Sequence, residues 1–198
     1  MSSKINYAAQ ELNLRIVYVG PGVGGKTTNL QQLYRLAGSR AVSDVKGLAT
    51  VGERTLSFDL LPIENGKWKN LTVKDRCYTV PGQVFYQSLQ RQVLQNVDAI
   101  VFVADSSAAR LDANLCSMRD VYDLMKNATP SRPITPTFPF VIQYNKRDAV
   151  DALPLVELEA ALNPWGVPFL EAVAKDGVGV TATFELAHRM ALRAFAGS

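Results

Sequence analysis

One glycine-rich stretch constrains the possible folds of this chain more than any other feature. Residues 20–28 read Gly-Pro-Gly-Val-Gly-Gly-Lys-Thr-Thr, with the spacing G-x-x-x-x-G-K-[ST]. An apolar segment, 14–19, precedes the stretch, and apolar residues recur at helical spacing after it. Successive backbone N–H groups of such a loop can surround phosphate oxygens at a helix N-terminus. The sequence therefore predicts a strand, a phosphate-binding loop and a helix, in that order.

The chemistry of this loop predicts a role for each of its motif residues. The glycines allow the backbone to approach a phosphate closely, the lysine reaches the β- and γ-phosphates, and the first threonine contributes a hydroxyl to Mg²⁺. An ordinary glycine-rich turn is the alternative, and the strand before it and the helix after it disfavour that alternative. The predicted nucleotide-binding residues here are Gly20, Gly22, Gly24, Gly25, Lys26, Thr27 and Thr28.

The rest of the chain predicts an α/β fold with a mostly parallel sheet and helices on both faces. A turn at Asn65-Gly66 makes a hairpin, which adds one antiparallel strand, and Ile5-Asn6-Tyr7 could start a short extra strand. Gly38 to Gly52 lacks clear periodicity and predicts a long loop. The six predicted strands lie within 14–19, 56–61, 71–79, 99–104, 138–144 and 168–173, in a single domain spanning 1–198.

Composition favours an ordinary globular protein. The chain has 198 residues, 47% of them hydrophobic, and a net charge of +3, which is too small to predict binding to nucleic acid. Cys77 and Cys116 lack metal-binding spacing and are expected to be buried free thiols in a reducing compartment. With no signal peptide, long apolar span or lipidation motif, we expect a cytoplasmic protein without a membrane anchor.

A second motif, Asn145-Lys146-Arg147-Asp148, follows a buried strand and predicts which base is bound. The Asp148 carboxylate can accept hydrogen bonds from N1–H and the exocyclic amine of guanine, whereas adenine has no matching pair of donors. Asn145 and Lys146 would support the base and the loop. The motif therefore favours GTP over ATP and disfavours an ATP-using kinase or ATPase.

Three other features remain open to two interpretations each. Trp68, between two lysines, could dock a partner or cover the edge of the sheet. The proline run at 130, 133, 136 and 139 could be a polyproline ligand, but a stiff connector is favoured. His188, the only histidine, is expected to be a packing residue rather than a catalytic one.

The motifs together resemble those of Ras-like small GTPases: the loop at 20–28, Pro81-Gly82-Gln83 and the 145–148 motif. Four further stretches, at 53–59, 78–86, 141–148 and 177–180, are similar to MglA-type bacterial polarity and gliding-motility GTPases. The resemblance extends from about Ile5 to the C-terminal helix.

This resemblance implies roles for residues outside the phosphate loop. Thr55 would bind Mg²⁺ and the γ-phosphate, Gly82 would contact the γ-phosphate, and Gln83 would orient the attacking water. Arg54 resembles the family's arginine finger supplied in cis, and a guanidinium there can reach the charge that develops in the transition state. Ala174 and Lys175 would cover the guanine, although Ala172-Val173-Ala174-Lys175 lacks the serine of the usual Ser-Ala-Lys.

The metal site departs from the general Ras pattern. Thr79 stands where most small GTPases have an aspartate, a departure shared with MglA-type proteins. We hypothesise that Asp59, the lone charge in the predicted strand 56–61, replaces that carboxylate and holds Mg²⁺ through water together with Thr27 and Thr55.

The implied function is a GTP/GDP molecular switch whose hydrolysis is slow without an activator and which regulates cell polarity or motility. The resemblance implies an MglB-like Roadblock-domain activator, polarity effectors or response-regulator-type partners, a monomeric G-domain and recruitment to a cell pole. A guanine-nucleotide-binding scaffold with negligible hydrolysis is the alternative, motivated by Thr79.

Overall fold

A computed structural model describes residues 4–43, 46–48, 58–80, 93–128, 133–135 and 137–197, with backbone alone at 46–48 and 58–59. The described helices are α1 (Lys26–Ala37), α2 (Leu111–Lys126), α3 (Leu155–Leu162) and α4 (Val180–Ala196). The strands are β1 (Ile5–Asn6), β2 (Glu11–Val19), β3 (Lys46–Leu48), β4 (Phe58–Trp68), β5 (Leu71–Thr79), β6 (Ala99–Asp105), β7 (Phe140–Asn145) and β8 (Phe169–Glu171).

The strands form one sheet in the order β3-β4-β5-β2-β6-β7-β8, and β1 pairs with β2 near the start of β2. The pairs β5–β2, β2–β6, β6–β7 and β7–β8 are parallel, while β4 joins β5 as an antiparallel hairpin. This arrangement confirms the predicted fold class, including the extra N-terminal strand. The predicted position of the hairpin turn is wrong: Asn65 and Gly66 lie within β4, where a β-bulge between Glu64 and Lys67 uses the positive φ of Gly66, and the two strands connect through residues 69–70. Because parallel strands share their direction, β2, β6 and β7 end at the same edge of the sheet.

One strand lies where the sequence predicted only a loop. Lys46–Leu48 pairs antiparallel with residues 58–60 of β4. Strand pairing uses backbone hydrogen bonds, which do not depend on the residue type. A strand of three residues is also too short to show an alternating pattern of apolar residues in the sequence. The remainder of the predicted loop within 38–43 contains a short 3₁₀ turn at Gly38–Arg40.

Alternation along β2 divides the core between the two faces of the sheet. Leu14, Ile16 and Tyr18 pack on one side, in the cluster that also contains the inner residues of α1 and α4. Val17 and Val19 pack on the other side, with the inner residues of α2 and α3. The predicted placement of helices on both faces is therefore confirmed, and the site at the strand ends rests on a core packed from both sides.

The two tryptophans lie on opposite faces of this sheet. The Trp68 ring meets Phe195 of α4 edge to face, with ring centroids 5.2 Å apart, and the Lys69 ammonium lies 4.4 Å from the Trp68 ring centroid. Trp165 stacks on Tyr122 of α2 at 5.6 Å. Trp68 therefore covers the sheet and fixes the hairpin to α4, which favours the packing interpretation over a docking one.

Several smaller expectations can be checked directly. Cys77 is buried as expected, but Cys116 is exposed, because it lies on the side of α2 away from the inner residues Met118 and Met125. His188 is 7% exposed within α4, in agreement with a packing role. Pro130 and Pro136 lie outside the described residues, so the interpretation of the proline run stays a prediction.

None of the helices in the described part of the chain is both long enough and apolar enough to cross a bilayer.

Candidate functional site

The phosphate loop connects the end of β2 to the start of α1, as the sequence predicts. Gly20 has φ of 133°, and a Cβ there would lie 2.3 Å from the backbone oxygen of Val103 in β6. Gly25 has φ of 102°, and a Cβ there would lie 2.2 Å from Nδ2 of Asn145. Both positions require glycine, because the torsion angle disfavours other residues and neighbouring segments leave no space. The loop is thus held against the ends of β6 and β7.

Lys26 is a buried cation at the start of α1, with 8% exposure. Its Nζ donates to the carbonyl oxygens of Gly20, at 2.9 Å, and Pro21, at 2.7 Å. Burial lowers its pKa to about 8. No carboxylate pairs with Lys26 among the residues that the structure describes. A buried cation at a helix N-terminus with only carbonyl partners fits a phosphate group.

Asn145 joins three segments of the site. Its Nδ2 donates to the carbonyl oxygen of Gly24 at 2.9 Å, and its Oδ1 accepts from the backbone N–H of Ala174 at 2.8 Å. The side chain is 3% exposed. The phosphate loop, the end of β7 and the segment after β8 are therefore connected through one amide group, which brings together the predicted phosphate loop, the 145–148 motif and the 174–175 segment.

Asp148 and Lys175 form an ion pair at the outer side of this junction. The hydrogen bond that Lys175 donates holds the pKa of Asp148 below its usual range, and the same contact raises the pKa of Lys175. Asp148 is therefore an ionised acceptor near neutral pH. Its side chain is 35% exposed, which leaves the carboxylate accessible to the N–H donors of a base.

Asp105 is a functional candidate that the sequence analysis missed. This carboxylate, 1% exposed, ends β6 and accepts from Lys146 Nζ at 2.6 Å and from the Ser107 N–H at 3.1 Å. Arg110 Nε lies 3.7 Å from the same carboxylate, and Arg110 Nη2 donates to the Gly22 carbonyl oxygen at 2.7 Å. Asp105 thus connects the 145–148 motif to the phosphate loop through two cations.

A buried amide network lies beneath the same junction. Asn29 of α1 and Gln143 of β7 exchange two hydrogen bonds, at 2.8 and 2.9 Å, and Gln143 Nε2 also donates to Thr183 Oγ1 at 2.9 Å. Thr183 in turn donates to the Gly179 carbonyl oxygen at 2.7 Å. Because all three side chains are fully buried, these bonds fix α1 relative to β7 and α4.

Other predicted site residues are only partly described. Thr27 is exposed in the first turn of α1, where its hydroxyl fits an oxygen ligand for Mg²⁺. The backbone of Asp59 pairs with Gly47, but its side chain is outside the described atoms. Arg54, Thr55, Gly82 and Gln83 lie outside the described residues, so their roles stay predictions.

Comparison with known proteins gives a consistent result. Residues 1–175 match the ADP-ribosylation factor family. The chain is 40% identical to the mutual gliding-motility protein MglA of Myxococcus xanthus (strain DK1622), over 96% of each protein. It is 28% identical to the Ras-related protein RABG3c of Arabidopsis thaliana, over 91% of this chain and 82% of that protein. The chain is also 28% identical to the Ypt/Rab-type GTPase ypt7 of Schizosaccharomyces pombe, over 90% of this chain and 82% of that protein.

Proposed function

Because this chain belongs to the MglA-type Ras-like small GTPases, we propose that it is a GTP/GDP switch that hydrolyses GTP with its own arginine finger and glutamine. The observation that carries this proposal is the Asn145 side chain, which ties the phosphate loop to the 174–175 segment. A loop for phosphates and a loop for a base are useful together only for a nucleotide. The proposal treats 1–198 as one GTPase domain.

Guanine recognition rests on Asp148 in this proposal. Its lowered pKa keeps the carboxylate ionised, and the two oxygens can accept from N1–H and the exocyclic amine of guanine. Lys175, which forms an ion pair with Asp148, would turn to cover the base together with Ala174. Adenine offers no such donor pair, so ATP is not the expected substrate.

Phosphate binding rests on Lys26 and the loop backbone. Lys26 exchanges the carbonyls of Gly20 and Pro21 for the β- and γ-phosphate oxygens, while the N–H groups of 22–28 surround the phosphates. Thr27, Thr55 and, through water, Asp59 would hold Mg²⁺, which when bound neutralises charge on the β- and γ-phosphates. If Asp59→Asn leaves Mg²⁺-dependent nucleotide retention unchanged, the proposed role of Asp59 is wrong.

Catalysis rests on residues next to the γ-phosphate. Gln83 orients the attacking water, Gly82 contacts the γ-phosphate, and Arg54 donates to its oxygens as negative charge develops. A finger of this kind contributes roughly 10³–10⁵ in rate, or about 4–7 kcal/mol. We expect slow hydrolysis without an activator, an MglB-like Roadblock-domain activator, polarity effectors or response-regulator-type partners, and a cytoplasmic protein recruited to a cell pole.

The test is single-turnover GTP hydrolysis by the full chain, with and without a Roadblock-domain activator. Arg54→Ala and Gln83→Ala should each slow the activated reaction by at least roughly a thousandfold. Arg119→Ala, at an exposed position on α2, should leave the rate unchanged. Equal rates in the wild type and all three variants would contradict the catalytic roles assigned to Arg54 and Gln83. A flat time course in the wild type under both conditions would instead favour a guanine-nucleotide-binding scaffold, the alternative that Thr79 suggests.

A further inference from the structure

A recess of about 520 Å³ lies near the start of β2, at the opposite end of that strand from the phosphate loop. It shares no residue with the nucleotide site described above. Its wall carries three cations and one carboxylate, an excess of two positive charges. The charged and amide side chains are Lys4, Asn6, Asn13, Arg15, Arg76, Asn96 and Asp98.

Arg15 and Arg76 are direct neighbours across two parallel strands. They are Cα partners in the β2–β5 pair, so both side chains project from the same face of the sheet. This face is opposite to the one that carries Leu14 and Ile16 against α1 and α4. Like charges placed directly opposite each other destabilise a sheet. We therefore expect the repulsion between the two arginines either to be offset by a neighbouring carboxylate or to be retained because the pair binds an anion.

The carboxylate already in the recess does not neutralise this pair. Asp98 forms an ion pair with Lys4 through Oδ1, and its Oδ2 accepts from the backbone N–H of Arg15 at 2.8 Å. The two oxygens of Asp98 thus bind Lys4 and a backbone N–H, and neither receives a guanidinium. The acid in the recess fixes β1 and β2 rather than balancing the arginines.

The guanidinium groups have neutral partners instead. Arg76 Nε donates to Asn13 Oδ1 at 3.1 Å. Arg15 Nη1 donates to the Val93 carbonyl oxygen at 3.4 Å, and its guanidinium carbon lies 5.4 Å from the Tyr78 ring centroid. Across the described ranges of the chain, no carboxylate pairs with either arginine.

The neighbouring position on the same sheet face is neutralised in the ordinary way. Lys74, two residues before Arg76, pairs with Glu11 on the adjacent strand. A cation on this face of the sheet can therefore pair with a carboxylate of the neighbouring strand, as Lys74 does next to the recess.

We propose that this recess binds an acidic segment of a partner protein, whose carboxylates pair with the guanidinium groups of Arg15 and Arg76. Guanidinium groups match carboxylates in a two-bond geometry that the present carbonyl and amide partners cannot provide. A concave site reached by partly exposed side chains suits a peptide side chain better than a flat anionic bilayer. The chain's modest net charge of +3 gives no general attraction for anions that would explain such binding.

The test uses a fluorescein-labelled hexaglutamate peptide and the full GDP-loaded chain, with binding followed by fluorescence anisotropy. The double variant Arg15→Gln/Arg76→Gln should bind the peptide about tenfold more weakly than the wild type, because two charged contacts are lost. Arg119→Gln/Arg189→Gln removes the same charge from exposed positions on α2 and α4 and should change affinity less than about twofold. Added salt should weaken wild-type binding.

Removing the arginine pair relieves repulsion, so the double variant is expected to fold, and circular dichroism checks this directly. If it does not fold, Arg76→Gln alone, at an exposed position, should still weaken peptide binding about threefold. The proposal is overturned if the wild type does not bind the peptide, or if the control double variant loses as much affinity. Arginine-dependent binding to phosphatidylserine vesicles without peptide binding would also overturn it, in favour of a lipid site.

Discussion

Two buried carboxylates lie on strands of one sheet that are separated by β2, and they have very different surroundings. Asp105, 1% exposed at the end of β6, faces Lys146 and Arg110 and accepts a backbone hydrogen bond. Asp75, fully buried within β5, has Asn65 Nδ2 at 3.2 Å from Oδ2, and its Oδ1 has no hydrogen-bond partner among the described residues. The first connects loops of the candidate site through cations. The second is a charge that the fold accommodates at a cost.

The surroundings of Asp75 explain that cost. His188 Nδ1 of α4 lies 2.9 Å from Asp75 Oδ2, without the alignment of a good hydrogen bond. Glu185 of α4, Tyr18 of β2 and Cys77 of β5 are the other titratable groups that interact with it. Burial raises the pKa of Asp75, and the contacts with His188 and Asn65 offset that effect only in part. The comparison teaches that burial stabilises a carboxylate's position only where cations accompany it.

The largest effect is expected from removing the hydrogen-bonded side chain of Asn145 from the candidate site. Asn145→Ala should weaken GDP binding by about 3 kcal/mol, roughly a hundredfold or more, because Gly24 and Ala174 each lose a buried hydrogen bond. Titration with a fluorescent GDP analogue measures this. Asn163→Ala also deletes two hydrogen bonds to backbone, both to Val167, but away from the site. Equal loss of affinity in both variants would contradict the special role of Asn145.

A smaller effect should follow from separating Asp105 from the phosphate loop. Arg110→Ala removes the donor to Gly22 and one of the two cations that face Asp105. We expect GDP to dissociate about tenfold faster, corresponding to about 1.4 kcal/mol, which stopped-flow displacement measures. Arg119→Ala on α2 is the matched control and should not change the rate. An unchanged rate in Arg110→Ala would show that Asp105 and Lys146 hold the site without it.

Removing the charge of Asp75 should stabilise the protein, whereas the two substitutions above should weaken nucleotide binding. Because the folded-state pKa of Asp75 is raised, its stabilising contribution is present below about pH 4 and is lost as pH rises through the folded-state pKa. Asp75→Asn does not titrate, so its unfolding free energy relative to wild type should increase as the pH rises above about 4.

Urea denaturation at several pH values measures this gain. Asp120→Asn, an exposed carboxylate on α2, should show no comparable pH-dependent gain. A loss for Asp75→Asn on raising the pH would mean that the carboxylate is stabilised by His188 more than burial destabilises it.

The smallest effect is expected from the hydroxyl next to Asp75. Tyr18 OH is buried without a hydrogen-bond partner among the described residues, so Tyr18→Phe should not lower the unfolding free energy. Tyr144 OH donates to Glu159, and Tyr144→Phe should cost about 1 kcal/mol. Denaturant melts of the two variants give the comparison directly, and a larger cost at Tyr18 would reveal a partner for its hydroxyl.

Local motifs explain what the sequence could predict. Gly20 and Gly25 require torsions and space that glycine alone provides, so the phosphate loop was recognisable from residue types and spacing. Asn145 and Asp148 follow an apolar strand, which placed them at the same edge as the loop. The alternation of strands and helices along the chain predicts the α/β fold class, and the resemblance to Ras-like small GTPases specifies the family within that class.

Contacts between distant segments explain what the sequence could not predict. Arg110 reaches Gly22 only because β2 and β6 are neighbours, and no periodicity marks that contact. Asp105 did carry a signal, a charge directly after the apolar run 99–104, but its two cations come from other segments. Likewise, the exposure of Cys116 depends on how α2 turns against the sheet, which the sequence does not show.

The positions of the two tryptophans give this fold a built-in pair of optical reporters. Trp68 senses the packing of the hairpin on α4, and Trp165 senses the α2 side of the sheet. Because the chain has two tryptophans, Trp68→Phe and Trp165→Phe each leave a single emitter on one face. Emission from the two variants would report separately on the two cores and reveal whether they melt together or in sequence.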